Sequence, residues 1–236
     1  MKAVILAAGI GNRLGTHTTA LPKALVPVQG RPLIHHTMGF LARPEISEVI
    51  VVGGREFAGV AAAAEKCNPK AVCIENPSYR LGNIESLIAA RHLLTEDFLL
   101  CNVDHLYRPA ILERLLDARS ASLCCVAADR DRSLTADDMK IATDGHGWLV
   151  AIDKGLVRFD AGYIGLTYCP RSCHAVYWSA MEATRERCGP MACVEAILAT
   201  LAATRTQVAV IDVSGIGWVE VDTPDDLERA EDFQCR

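Results

Sequence analysis

The chain has 236 residues, a length that fits one large α/β domain or two small ones. Hydrophobic residues make up 50% of it, enough to fill a core, while a net charge of −5 without any Lys/Arg block disfavours nucleic acid and anionic membranes as partners. No apolar stretch approaches the ~18 residues that cross a membrane, and the apolar run in the opening MKAVILAAG is too short for a signal peptide.

Strands and helices alternate through the first half of the chain. Continuous apolar runs predict buried strands at residues 2–8, 48–52, 72–74, 98–103 and 122–127. Helical patterns predict helices at residues 32–41, 58–66, 84–94 and 109–118, the first with Pro32 near its first turn. This alternation predicts a doubly wound, mostly parallel sheet of the Rossmann-like α/β class.

The pattern changes in the second half of the chain. Residues 140–154 predict a hairpin that turns at DGHG, and residues 161–167 predict another strand. The remaining elements are predicted as helices at 174–187 and 193–203, strands at 208–213 and 218–221, and a final helix from near Pro224. Because no linker or repeat interrupts the chain, we expect a single domain over residues 1–236, with a small antiparallel elaboration in its second half.

The chain contains ten cysteines, which is a high count. No CxxC pair occurs, and Cys124 and Cys125 are adjacent within an apolar run. Such residues act as small buried hydrophobes in a reducing compartment. We therefore expect reduced thiols and a cytoplasmic protein.

A glycine-rich loop follows the first strand. Gly9, Gly11 and Gly15 lie in LAAGIGNRLG, and the loop also carries Arg13 and Lys23. Small residues let backbone N–H groups approach phosphate oxygens, and the two cations add fixed positive charge. The loop therefore predicts a phosphate-binding site.

Three other interpretations explain this loop less well. A dinucleotide-binding fingerprint fails because its register breaks at Leu14 and the next strand ends at Gly53 and Gly54 without an acid. A Walker A loop needs Gly-Lys-Ser/Thr, which is absent from the sequence. A plain strand-to-helix turn explains one glycine, but not three glycines together with two cations.

Two aspartates follow predicted strands: Asp104 after FLLCNV and Asp222 after WVEV. Ligands of open α/β sheets bind beyond the carboxyl ends of strands, and Mg²⁺ prefers one or two carboxylates plus phosphate oxygens and water. Each aspartate also has a structural alternative, because Asp104 can open a turn, and Thr223 and Pro224 suit the N-cap and first position of a helix. Together with the phosphate loop, the two aspartates favour a metal site.

Two lysines flank the predicted hairpin. Lys140 begins one arm and Lys154 ends the other, so both can lie near one sheet edge. A lysine at a strand edge is often only a solvated residue that blocks edge pairing. Spacing alone leaves a binding role and this structural role equally open.

Residues 6–25 resemble the signature LAAGxGxRL…PKxL of the sugar-phosphate nucleotidyltransferase superfamily, and the similarity covers nearly the whole chain. Within it, the sequence is most similar to the CTP-dependent phosphoalcohol cytidylyltransferases, in particular the inositol-1-phosphate cytidylyltransferases. The resemblance implies a Mg²⁺-dependent transfer of the cytidylyl group of CTP to inositol 1-phosphate, which gives CDP-inositol and pyrophosphate. Relatives also suggest a homodimer.

The resemblance also implies site residues. It implies nucleotide binding by Leu6, Ala8, Gly9, Gly11, Asn12, Arg13, Lys23, Gly82, Asn83 and Asp104, although Asn83 also suits a plain N-cap. It implies Mg²⁺ binding by Asp104, which with His105 matches an Asp-His pair, and by Asp222. It implies acceptor binding by Lys140, Lys154, Asp160 and Gly162, and catalytic roles for Arg13, Lys23 and Lys154. Two positions depart from the family pattern, because Val103 replaces a common glycine and Ala161 a common threonine near the acceptor's alcohol group.

In such a reaction an acceptor phosphate oxygen attacks the α-phosphorus of the triphosphate. The second pKa of that phosphate is about 6, so it needs no general base, only cations that reduce the repulsion between two anions. One alternative is a relative that uses phosphocholine, a small phosphonate or a hexose 1-phosphate. Another is a non-catalytic regulatory subunit, which the presence of Arg13, Lys23, Asp104 and Asp222 disfavours. We also expect the chain to lack the membrane-embedded transferase domain that is sometimes fused to these enzymes.

Overall fold

A computed structural model describes residues 1–18 and 21–235. Residues 19 and 20, which fall in the predicted phosphate loop, and residue 236 lie outside the described residues. The described strands are β1 (Lys2–Ala7), β2 (Pro27–Val28), β3 (Arg31–Pro32), β4 (Glu48–Gly53), β5 (Val72–Glu75), β6 (Phe98–Asn102), β7 (His105–Tyr107), β8 (Cys124–Asp129), β9 (Lys140–Thr143), β10 (Leu149–Asp153), β11 (Ala161–Cys169), β12 (Val208–Asp212) and β13 (Trp218–Glu220). The described α-helices are α1 (Leu33–Phe40), α2 (Phe57–Cys67), α3 (Ile84–Ala90), α4 (Pro109–Ala118), α5 (His174–Cys188), α6 (Glu195–Ala203) and α7 (Pro224–Asp232).

Nine of the described strands form one large sheet. Its order runs β5-β4-β1-β6-β11 and continues through β8 to β12, and the β9-β10 hairpin pairs with the start of β11. β1 runs parallel to β4 and β6, whereas β11 runs antiparallel to β6 and β8. The mostly parallel central sheet is confirmed, and so is the antiparallel hairpin in the second half.

Helices cover both faces of this sheet, as β1 shows. Val4 and Leu6 belong to the core that includes α3, α5 and α6, whereas Ala3 and Ile5 belong to the core that includes α1, α2 and α4. A strand buried on both faces needs apolar residues at successive positions, which explains the uninterrupted apolar runs. The doubly wound prediction is therefore confirmed.

A two-stranded ribbon of β7 and β13 lies outside the large sheet, with Glu220 opposite His105. The strand predicted at 218–221 is present as Trp218–Glu220, and its pairing with β7 was not predicted, because a three-residue strand such as β7 leaves no periodic signal in the sequence. The ribbon brings Asp222 close to the end of β6, where Val221 N donates to Asp104 O at 2.8 Å. A second short ribbon, β2-β3, was also not predicted.

The structure differs from the predicted end of one helix, α3, and agrees with the predicted start of another, α7. The helix predicted at 84–94 ends at Ala90, and Arg91–Leu93 forms a 3₁₀ turn instead. α7 begins as predicted, with Thr223 as N-cap and Pro224 at its first position, and Asp226 completes a capping box. The structural alternative at this helix start is thus confirmed, without excluding a second role for Asp222.

Several of the cysteines are core residues. The fully buried ones are Cys101, Cys124, Cys125 and Cys169.

None of the helices within residues 1–18 and 21–235 has the length and hydrophobicity needed to span a bilayer. The division of the chain into one domain stays a prediction.

Candidate active site

Two adjoining cavities in the described structure open beyond the carboxyl ends of β1 and β6, and Asp104 lines both. Most of the predicted nucleotide-binding residues line the first cavity, namely Leu6, Ala8, Gly9, Lys23, Gly82, Asn83 and Asp104. Five predicted residues line the second cavity, namely Arg13, Asn83, Asp104, Lys154 and Asp222. The fold therefore gathers residues from distant parts of the sequence at one edge of the sheet.

The glycine loop wraps the side chain of Lys23. Gly11 has a φ of +75°, and a Cβ there would lie 3.1 Å from Lys23 Cβ and 2.8 Å from Thr18 Cγ2. Thr18 Oγ1 donates to Gly11 O at 2.8 Å, and Lys23 N lies 3.4 Å from its acceptor Gly9 O. Glycine at position 11 is therefore required by the backbone and by the closeness of Lys23. Gly11 and Asn12 line neither cavity, so their contact with a nucleotide stays a prediction.

The Lys23 ammonium lies between two carboxylates. Its Nζ donates to Asp104 Oδ2 at 2.6 Å and to Asp222 Oδ1, and only 5% of the residue is exposed. Burial alone would lower the pKa of this ammonium, but Asp104 and Asp222 outweigh burial and raise the pKa above its usual range. Burial alone would raise the pKa of Asp104, but Lys23 and His105 hold it well below the usual range of a carboxyl. Lys23 and Asp104 therefore both stay charged at neutral pH.

Arg13 reaches one of these carboxylates, that of Asp222, from the loop. Its Nη2 donates to Asp222 Oδ2 at 2.5 Å, and its Nη1 lies 3.7 Å from Asp137 Oδ2. The Arg13 side chain is 47% exposed, so water screens these ion pairs. A half-exposed guanidinium at the rim of a cavity is suited to bind a phosphate with two parallel hydrogen bonds.

Asp104, His105 and Glu220 each place one potential metal ligand atom within 4.8 Å of the other two. His105 Nδ1 lies 2.7 Å from Asp104 Oδ1, and Asp222 follows Glu220 by two residues. Burial raises the pKa of Glu220 to about 7, with the charges of Asp104 and Asp222 adding to the effect and His105 opposing it. Three crowded carboxylates fit a divalent cation with oxygen ligands such as Mg²⁺, because the cation offsets their repulsion.

A backbone contact fixes the position of Gly82, which lines the first cavity. Gly82 N donates to Pro190 O at 2.9 Å, and a Cβ on Gly82 would lie 2.0 Å from Ala192 O. Asn83 Oδ1 accepts from Val194 N at 2.8 Å, and no side-chain bond of Asn83 caps α3. Asn83 therefore occupies the predicted N-cap position of α3, but its side-chain amide ties the start of α3 to the segment before α6 instead of capping the helix.

Lys140 and Lys154 occupy different environments. Lys140 is buried, and its Nζ donates to Lys154 O at 2.6 Å and to Asp138 O at 3.4 Å. Lys154 is exposed and lines the second cavity, which Lys140 does not. Lys154 therefore lies at the candidate site, whereas the hydrogen bonds of Lys140 stabilise the hairpin.

Asp160 and Gly162, also predicted to bind the acceptor, line neither cavity. Asp160 Oδ2 accepts from Thr143 N at 2.6 Å and from Thr143 Oγ1 at 3.0 Å, and these hydrogen bonds hold its pKa below the usual range. Gly162 is buried, and a Cβ there would lie 2.6 Å from Leu134 Cδ2. Their present contacts support the hairpin, and their acceptor role stays a prediction.

Among the other residues that line the cavities, the sequence did not single out Tyr79, Ser86, Asn102, Tyr163, Glu195 and Glu220. A signal existed for two of them, because Asn102 and Glu220 each precede a predicted metal aspartate by two positions. Residues two apart along an extended chain face the same side. His105 was noticed only as half of a matched Asp-His pair.

Comparisons with known proteins place the chain in a wider group. A family model described as MobA-like NTP transferase domain matches residues 3–180. The CMP-5'-(3-aminopropyl)phosphonate synthase of Streptomyces rubellomurinus is 34% identical over 98% of this chain and 38% of its own length. The bifunctional IPC transferase and DIPP synthase of Rubrobacter xylanophilus is 32% identical over 98% of this chain and 51% of its own length. The chain thus spans about half, or less, of the length of these relatives.

A solved structure shows the same fold. The inositol-1-phosphate CTP transferase from T. maritima superposes with a TM-score of 0.82 at 18% identity, and the match covers 98% of this chain and 96% of that chain. This likeness confirms the architecture over nearly the full length of both chains.

Proposed function

The chain belongs to the MobA-like NTP transferase domain family, and on this basis we propose that it transfers a cytidylyl group from CTP to a small phosphorylated alcohol or phosphonate. The observation that carries the proposal is the Lys23 ammonium held between Asp104 and Asp222, where the two cavities adjoin. The choice of a cytidylyl group is supported by the relative named for a CMP-linked product. A positive charge at the Lys23 position suits a reaction between two anions, because it reduces the repulsion between them.

In the proposed reaction the triphosphate occupies the first cavity, with Gly9 facing its phosphates and Gly82 and Asn83 near the base. The acceptor oxyanion occupies the second cavity beside Lys154 and attacks the α-phosphorus. A new P–O bond forms while the bond to the β-phosphate breaks, and pyrophosphate leaves with the electron pair. Lys23 and Arg13 offset the negative charge on the phosphates, so no side chain has to remove a proton.

Dependence on Mg²⁺ is part of this proposal. Asp104 and Asp222 would hold the ion, with Glu220 close by. When bound, the ion would reduce the negative charge of the reacting phosphates. The crowding of carboxylates described above supports this assignment.

Two acceptors are candidates. Inositol 1-phosphate, with CDP-inositol as product, is the first, because the sequence resembles the enzymes that use it. An aminoalkyl phosphonate is the second, because the relative with 34% identity is named for such a product. In addition, Glu195 lines the second cavity at 8% exposure, and no Lys, Arg or His of the described residues forms an ion pair with it. That carboxylate is available for the ammonium group of the acceptor.

Pyrophosphate release tests the proposal directly. The chain is incubated with each of four nucleoside triphosphates and a panel containing inositol 1-phosphate, an aminoalkyl phosphonate, phosphocholine and a hexose 1-phosphate, with and without Mg²⁺. We expect turnover with CTP and Mg²⁺, and Glu195→Gln to reduce kcat/KM for the aminoalkyl phosphonate but not for inositol 1-phosphate. No turnover with any pair would refute the enzyme assignment, and turnover with GTP or dTTP alone would refute the cytidylyl group.

Substitution of the two aspartates tests the location of the site. We expect Asp104→Asn and Asp222→Asn each to lower kcat by about 100-fold or more, as when charge stabilisation is removed from a transition state. Asp117→Asn, on the exposed side of α4, is the matched control and should keep the wild-type rate. Wild-type rates in either of the first two variants would show that the metal site lies elsewhere.

A further inference from the structure

A stack of planar side chains lies next to Asp104. The His105 imidazole stacks on the Trp218 indole, with ring centroids 5.4 Å apart and 12° between the planes. It also stacks on the Tyr107 ring, with centroids 5.6 Å apart and 19° between the planes. The Arg132 guanidinium packs over the Trp218 ring at 4.3 Å from its centroid. The imidazole is therefore confined between two aromatic rings.

Hydrogen bonds fix both neighbours of the imidazole. Trp218 Nε1 donates to Asp129 Oδ2 at 2.8 Å, and Tyr107 Oη donates to Ile164 O at 2.7 Å. Tyr107, Trp218 and His105 are all buried. Rotation of the His105 ring would thus require movement of two anchored aromatic side chains, which close packing opposes.

The confined imidazole contacts one oxygen of the Asp104 carboxylate. His105 Nδ1 lies 2.7 Å from Asp104 Oδ1, while Lys23 Nζ donates to the other oxygen, Oδ2. A carboxylate paired with the Lys23 ammonium accepts hydrogen bonds and has none to donate, so the proton of this hydrogen bond belongs to His105 Nδ1. Each carboxylate oxygen therefore has its own donor, and the plane of the carboxylate is set by the position of His105.

We propose that His105 is a positioning residue, which orients the Asp104 carboxylate for its metal ion from within the Tyr107–Trp218 stack. The consequence for turnover rests on the proposed function above. The consequence for metal binding rests only on Asp104 as a metal ligand, and it can be measured without turnover. Outer partners of metal ligands commonly have this effect on affinity.

Two substitutions separate the hydrogen bond from the stack. His105→Phe keeps an aromatic ring between Tyr107 and Trp218 but removes the donor. His105→Asn places an amide N–H near the position of Nδ1 but removes the ring. The matched control is His174→Phe, since His174 also packs against aromatic rings, but beside Phe98 at the start of β6 rather than beyond its end.

Mn²⁺ binding to the full chain, measured by electron paramagnetic resonance with and without CTP, gives a readout that does not require turnover. We expect His105→Phe to weaken Mn²⁺ binding about 10- to 100-fold, His105→Asn to bind more tightly than His105→Phe, and His174→Phe to match the wild type. The Mg²⁺ concentration that gives half-maximal turnover should follow the same order. Thermal unfolding verifies that each variant is folded.

Equal Mn²⁺ affinity of His105→Phe and the wild type would overturn the proposal. So would His105→Asn binding no more tightly than His105→Phe, or a wild-type chain that binds no Mn²⁺. Absence of turnover in a wild-type chain that binds Mn²⁺ would count against the proposed function alone, because the order of Mn²⁺ affinities still tests His105.

Discussion

Lys23 and Asp104 are 81 positions apart in the sequence, yet Lys23 Nζ donates to Asp104 Oδ2 at 2.6 Å. The same ammonium donates to Asp222. A buried ammonium requires nearby negative charge, and two carboxylates this close require a cation between them. The three side chains therefore form a unit whose stability depends on its balance of charge.

Replacing Lys23 with Met keeps the apolar part of the side chain and removes the charge. We expect the free energy of unfolding, measured with a chelator present, to fall by about 3–5 kcal/mol, because Asp104 and Asp222 are left without a buried counter-charge. Added Mg²⁺ should then stabilise Lys23→Met more than the wild type, because no ammonium competes for the carboxylates. Chemical and thermal unfolding with and without Mg²⁺ measure both effects.

The control for this change is Lys2→Met. Lys2 pairs with Glu48 at 2.9 Å, at the opposite ends of β1 and β4 from the site. We expect a loss of about 1 kcal/mol or less and no change in the response to Mg²⁺. Equal stabilisation of Lys23→Met and the wild type by Mg²⁺ would contradict the cation site.

A substitution at Gly9 is expected to weaken CTP binding without changing the stability of the fold. It lines the first cavity, and a Cβ there would meet no atom within 4 Å. We expect Gly9→Ala to unfold like the wild type but to raise the KM for CTP about 10-fold, the equivalent of one hydrogen bond to a charged group at ~1.5 kcal/mol. The physical reason is that the methyl group occupies space needed by phosphate oxygens near the loop N–H groups.

Steady-state kinetics against CTP and thermal unfolding test this prediction together. Gly145→Ala is the matched control, because Gly145 lies in the hairpin turn and a Cβ there also meets no atom within 4 Å. Both values should stay at the wild-type level in this control. An unchanged KM in Gly9→Ala would show that the triphosphate does not approach the loop at this position.

The order of the main strands and helices was predictable from the sequence because strands such as β1 and β4 are buried on both faces. Each leaves an unbroken apolar run that is followed by a helical pattern. The β7-β13 ribbon was not predictable, since His105–Tyr107 is too short to show a period. The ribbon exists through its pairing with Trp218–Glu220, which lies more than a hundred residues further along the chain.

The candidate site was predictable where side chains follow strands, as with Asp104 and Asp222. It was not predictable where strand register decides the direction of a side chain. Lys140 begins the hairpin and pairs opposite Gly162 and Asp153. Its ammonium donates hydrogen bonds to the backbone carbonyls of Lys154 and Asp138. The stack around His105 likewise depends on a long-range pairing that no local pattern encodes.

Asp97 lies at the start of β6, away from the candidate site, and makes the folding stability of the protein depend on pH. Its two oxygens accept from Tyr168 Oη at 2.7 Å and from Arg171 N at 2.8 Å. Partial burial opposes ionisation, but these hydrogen bonds outweigh it and hold the pKa of Asp97 below the usual 3.8. A depressed folded-state pKa contributes stability that is present above the unfolded-state pKa and is lost as the pH falls through the folded-state pKa.

We therefore expect the wild type to be more stable than Asp97→Asn at pH 7, and the difference to shrink below a pH of about 4. Urea unfolding at pH 7, 5 and 3 measures it. Asp117→Asn, which is exposed on α4, should differ little from the wild type at each pH. A difference between the wild type and Asp97→Asn that grew toward low pH would contradict the assigned direction of the pKa shift.

The turn that carries Asp222 is held by Asp226. Asp226 Oδ2 accepts from Thr223 N at 2.8 Å and from Asp222 N at 3.2 Å, while Asp226 N donates to Thr223 Oγ1 at 3.3 Å. We expect Asp226→Ala to lower the free energy of unfolding by about 1 kcal/mol, as is typical for the loss of a helix cap. It should also lower kcat, because the backbone of Asp222 loses the hydrogen bond that fixes its carboxylate beside Lys23.

Asp225→Ala is the matched control for this variant, since Asp225 is exposed in the same first turn of α7 and is not part of the capping box. It should lose only the favourable interaction of a carboxylate with the helix N-terminus, about 0.3–1 kcal/mol, and keep the wild-type kcat. Comparing the two variants in urea unfolding and in pyrophosphate release separates stability from positioning. If Asp226→Ala loses stability but turns over as fast as Asp225→Ala, the capping box holds the helix without placing Asp222, and Lys23 and Arg13 fix that carboxylate.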